Sequence, residues 1–60
     1  MQCIIQCKKN DKTSYVKMEG RVAKLTPFEN QATLINSMNY AKNIRDDFLE
    51  KQDFATIFKV

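Results

Sequence analysis

The chain has 60 residues, with ten Lys and Arg against seven Asp and Glu, no His and two Cys. A chain this short buries only about 60% of the surface its unfolded form exposes, which excludes a second core and makes residues 1–60 a single small domain. Two Cys without His cannot supply the four ligands of a structural zinc site, so self-association into a homodimer is the expected source of extra stability.

Strand one is expected over Met1–Lys8, where Cys3, Ile5 and Cys7 share one parity and Gln2, Ile4, Gln6 and Lys8 the other. Four residues of strand span roughly 13 Å, too far for Cys3 and Cys7 to pair, so both read as small buried thiols of a reducing compartment. Lys9–Lys12, with Asn10 and Asp11 at its centre, has the chemistry of a tight turn. Thr13–Met18 follows as strand two, with Val16 and Met18 inward and Tyr15 and Lys17 outward. Gly20, the only glycine, marks the next turn. Arg21–Leu25 is a short third strand.

Thr26, Pro27 and Glu29 have the spacing of a capping box with proline at the first helical position. A single helix from Pro27 to Gln52 fails, because Phe28, Ala32 and Ile35 project well away from the stripe that follows. A turn is expected instead, then a brief extended piece over Ala32–Ile35. Ser37–Gln52 is the main helix. Met38, Ala41, Ile44 and Phe48 line one face, Ser37 stands at the N-cap, and Asp47 precedes Lys51 by one helical step. The final run, Phe54–Val60, alternates as a strand with Phe54 and Phe58 on one side and Ile57 on the other, the pattern of a central or dimer-forming strand. The core then consists of Cys3, Ile5, Cys7, Val16, Met18, Val22, Leu25, Leu34, Ile35, Met38, Ala41, Ile44, Phe48, Phe54 and Phe58. These elements describe an α+β fold, a small antiparallel sheet of three to four strands packed against one main helix.

Groups for chemistry are few. Without His the commonest general base and metal ligand is missing, one glycine cannot build a phosphate loop, and Asp46 and Asp47 diverge by ~100° on a helix. No catalytic, cofactor or metal site is expected, and the protein reads as a non-enzyme. No segment approaches the ~18 apolar residues of a membrane span. The N-terminus also lacks the order of a secretory signal, so the expected location is the cytoplasm.

Charge is divided along the chain. Residues 1–25 carry Lys8, Lys9, Lys12, Lys17, Arg21 and Lys24 against Asp11 and Glu19, a net +4; residues 26–60 carry four basic and five acidic groups, a net −1. The six basic residues, with Tyr15 among them, define one candidate surface, a basic hairpin for nucleic acid. Asp46, Asp47 and Glu50 lie near the helix C-terminus, where the macrodipole disfavours them, and Asp46, Glu50 and Asp53 form an acidic patch suited to a basic protein partner. The exposed residues a core does not explain, Tyr15, Lys17 and Arg21 on the sheet and Asp46, Asp47 and Glu50 on the helix, are the candidate partner contacts.

The order K-L-T, A-T-L-I-N-S, Y-A-K-N-I and closing I-F-K-V, at Lys24–Thr26, Ala32–Ser37, Tyr40–Ile44 and Ile57–Val60, covers about half the chain. This run resembles the strand, turn, helix and strand of short accessory proteins from phages and prophages of low-GC bacteria, and the Lys-, Asn- and Ile-rich composition fits that source. The motifs are structural and transfer no functional residue. What the resemblance implies is that the chain binds a larger host protein, host defence systems included, and blocks or redirects it in the host cytoplasm.

Overall fold

A computed structural model describes residues 2–60. Strands β1 (Cys3–Lys9), β2 (Lys12–Glu19), β3 (Val22–Thr26) and β4 (Phe54–Lys59) form one antiparallel sheet in the order β3-β2-β1-β4, and helix α1 (Met38–Leu49) packs on it, mainly over β1 and β4. This is the expected α+β architecture with four strands. Met1, the first residue of the expected strand one, lies outside the described residues.

The two hairpins follow from turn chemistry. Asn10 (φ 51°) and Asp11 (φ 65°) are both left-handed between the facing pair Lys9 and Lys12. A type I′ turn requires this, and its right-handed twist matches that of the strands. Gly20 (φ 62°) opens the second two-residue turn, between Glu19 and Val22, where only glycine enters that region without strain. Asp11→Gly is expected to stabilise the chain by about 0.5 kcal/mol, because Asn-Gly suits a type I′ turn better than Asn-Asp. The check is a higher urea midpoint at unchanged slope.

β1 and β2 pair only from Lys9↔Lys12 to Gln6↔Tyr15 and then part. Residues 33–35 fill the gap. Cys3 and Ile35 exchange both backbone hydrogen bonds (2.9 and 2.8 Å), the Thr33 amide donates to the Val16 carbonyl (3.1 Å), and the Met18 amide donates to Thr33 Oγ1 (2.8 Å). The expected turn and extended piece are therefore present, with a 3-10 turn over Glu29–Gln31 preceding them. The capping box is not. Thr26 still belongs to β3, facing Tyr15, and its hydroxyl accepts from the Phe28 amide (3.3 Å) and donates to Gln31 Oε1 (3.0 Å), so Phe28 takes the N-cap position and Glu29 stays exposed.

Ser37 caps α1 as expected, its hydroxyl accepting from the Tyr40 amide at 3.3 Å. The helix stops at Leu49, short of Gln52, because the Phe48 carbonyl takes both the Lys51 and the Gln52 amides and the chain turns there. Asp47 and Lys51 make no ion pair; Arg45 and Asp46 make one at 3.1 Å. Asp53, expected in the acidic patch, accepts from the Asn10 amide at 3.0 Å and ties the hairpin tip to the start of β4.

The core comprises Cys3, Ile5, Cys7, Val16, Ile35, Ala41 and Ile44, with Met18, Ala23, Phe48, Ala55 and Ile57 packed around it. Strand β4 is turned over relative to expectation. Its register places Ile57 opposite Ile5 and Ala55 opposite Cys7, so those two face the helix. Phe54 and Phe58 consequently lie on the other face, 66% and 45% exposed. β4 is also an edge strand, not a central one. Val22, Leu25 and Leu34 are exposed as well. Val22 faces Glu19 on the side away from α1, Leu25 lies on outer strand β3, and Leu34 points opposite to buried Ile35. Met38 and Phe48 are half-buried. Ile4, assigned an outward parity, is only 8% exposed, since Phe58 stands beside it across the ladder.

Candidate functional site

Helix α1 covers one face of the sheet, and alternation sends every second side chain to the other. On this open face the register aligns Ile4 with Phe58, Gln6 with Thr56 and with Tyr15, Lys8 with Phe54, and Lys17 with Lys24. Two exposed phenyl rings therefore flank a polar strip in which Gln6 Nε2 donates to Tyr15 Oη at 3.4 Å. Tyr15 is half-buried, because the segment after Thr26 crosses β2 on this side.

Lys17 and Lys24 face each other directly, an arrangement that like charges disfavour. Glu19 relieves it, its carboxylate lying 3.0 Å from Lys24 Nζ and 3.8 Å from Lys17 Nζ. The hydrogen bond and charge of Lys24, aided by Lys17, hold the Glu19 carboxyl below its ordinary range. Of the lysines on the face, Lys8 alone has no carboxylate partner among the described residues, and it stands beside Phe54.

The six basic residues of the hairpin are not assembled into one patch. Lys8, Lys17 and Lys24 lie on the open face, Lys9 and Lys12 on the helix side, and Arg21 in the turn at the far end of β2. Lys9 and Lys12 border a shallow groove of about 300 Å³ floored by Ser14 and Leu25 and closed by Gln52. The candidate partner contacts divide in the same way. Tyr15 and Lys17 are on the open face, whereas Asp46, Asp47 and Glu50 lie exposed along α1 on the opposite side of the molecule, with Asp46 engaged by Arg45 and Asp47 beside Phe48 and Lys51. One flat partner cannot touch both sets. Phe54 and Phe58 were not among the contacts expected from sequence; the signal for them was their shared parity in β4, which alone does not say which face is buried.

Both cysteines are buried and unpaired. Cys3 Sγ donates to the Ile35 carbonyl at 3.3 Å, and burial pushes the Cys7 thiol up, so its reactive thiolate is disfavoured. Among the described residues no three His, Cys, Asp or Glu side chains converge as metal ligands, and no helix is long and apolar enough to cross a membrane. Neither a protein-family model, nor a curated protein, nor a solved structure matches the chain.

Proposed function

We propose that the chain is a non-catalytic interaction protein of the phage accessory type, which binds a larger host protein in the cytoplasm through its open sheet face and inhibits or redirects it. The observation that carries this reading is the pair of phenyl rings, Phe54 and Phe58, held in solvent on an edge strand on the same face as Tyr15 two strands away, with Lys8 and Lys17 at the rim. Apolar rings that a core does not use, ringed by polar groups, have the anatomy of a protein contact, where aromatic anchors contribute most of the binding energy. The lysines suit a partner with acidic groups around an apolar centre.

A second reading has its own support. Aromatic rings and lysines on one sheet face also suit single-stranded nucleic acid, which stacks its bases and places its phosphates on cations. Glu19 weighs against it by pairing with Lys24 and Lys17 and offsetting one of the three positive charges on that face. The test is capture from a lysate of a low-GC bacterium, with and without nuclease, by the wild type, the double variant Phe54→Ser/Phe58→Ser and Glu19→Gln. One protein retained after nuclease and lost at least tenfold with the double variant is the expected result. Nucleic acid retained instead, weakened by salt and strengthened by Glu19→Gln, would overturn the protein-contact reading in favour of the second.

A further inference from the structure

We propose that two copies of the chain join through the free edges of β4, antiparallel about a two-fold axis at Ile57, to form one continuous eight-stranded sheet. The pairing stands independently of any host protein. Cys3 gives both its backbone groups to Ile35, on the side away from β4, although it is the register partner of Lys59. Facing pairs in an antiparallel ladder alternate between bonded and non-bonded. Lys59, Ile57 and Ala55 therefore turn their amides and carbonyls outward, while Val60, whose amide bonds the Gln2 carbonyl at 2.8 Å, sets the inward parity of the even positions. Beyond β4 no strand follows, and Ala55, Ile57 and Lys59 have no outward backbone partner among the described residues.

The outward set is self-complementary. With Ile57 facing its own copy, Ala55 faces Lys59 of the second copy and the reverse, giving about six inter-chain hydrogen bonds at two per bonded pair. The same register sets Phe54 opposite Val60 of the other copy. These are the two most exposed large apolar residues among the described ones, at 66% and 74%, and each meets the other across the seam. Phe54–Lys59 contains no proline, and its one charged residue, Lys59, stands at the end of the strand, where it would face Ala55 of the second copy. The opposite edge is protected. β3 has five residues, is stopped by Pro27, and at full self-overlap would set Lys24 against Lys24. A domain this small gains from the added burial.

The chain is short enough for chemical synthesis, which permits N-methylation of Ile57. That change deletes an outward donor while leaving the side chain and the β1 ladder intact. Sedimentation equilibrium of the wild type at high micromolar concentration is expected to give twice the 7.0 kDa chain mass. The N-methyl form should dissociate at least tenfold more readily with its far-UV spectrum unchanged. Register is tested separately: Phe54→Lys should weaken the dimer, and adding Val60→Glu should restore it, because the two positions face each other across the axis. A monomeric wild type, a dimer indifferent to N-methylation, or failure of Val60→Glu to restore the Phe54→Lys variant overturns the pairing as stated.

Discussion

Ile5→Ala should remove a large part of the chain's folding stability. Ile5 is fully buried, faces Ile57 across the ladder, and belongs to the same cluster as Ala41 and Ile44 of the helix. Truncating such a side chain costs about 2–5 kcal/mol, as lost burial plus the cavity left behind. A domain of 60 residues has a total stability of roughly 3–9 kcal/mol, so one substitution removes about half of it. Phe58→Ser, one strand away and on the open face, should change stability by less than about 1 kcal/mol, since surface substitutions seldom cost more. Urea denaturation of both variants at one fixed protein concentration makes the comparison, because the midpoint of a self-associating chain moves with concentration. Similar losses at the two positions would mean that Phe58 is buried and that the facing of β4 is wrong.

Thr33→Val is the second large effect, expected to cost about 1–3 kcal/mol although the side chain keeps its shape. The Thr33 hydroxyl accepts the Met18 amide at 2.8 Å where β1 and β2 have parted, and valine leaves that half-buried donor without a partner. Hydrogen exchange gives the sharper reading. The Met18 amide should lose protection in the variant, while the Ile35 amide, bonded to the Cys3 carbonyl, should keep most of its own. Equal loss at both amides would mean that residues 33–35 dock as one unit held elsewhere.

Much of this architecture was legible in the residues. The alternation of Cys3, Ile5 and Cys7, the Asn10–Asp11 turn, the lone Gly20 and the Met38, Ala41, Ile44 stripe behind Ser37 each have one local physical solution, and each is found. The facing of β4 was not legible. Phe54, Ile57 and Phe58 make both parities apolar, and the choice is settled by pairing with β1, more than 45 positions earlier, which no local pattern encodes. The extended piece before Ile35 was legible but its place between β1 and β2 was not, because its hydrogen bonds go to Cys3, Val16 and Met18 and exist only once the sheet has split. For the candidate site, Tyr15 and Lys17 were identifiable as unexplained surface residues. The separation of the six basic residues onto two faces and a turn followed from register, as did the selection of Phe54 and Phe58.

The strand order also sets a schedule for synthesis. β1 lies inside the sheet, yet one of its two neighbours is the last of the four described strands, with Phe54 following Lys9 by 45 positions. At translation rates of about 5–20 residues per second, the flank of β1 that carries Ile4 waits on the order of 2–9 s for β4 to emerge. During that interval β2, β3 and the helix are made in turn, but the strand that closes the layer beneath the helix is not. Pairings between distant segments form slowly even in the finished chain. The sheet therefore closes only after the last of these strands has been made, and until then the β4 side of β1 stays unpaired.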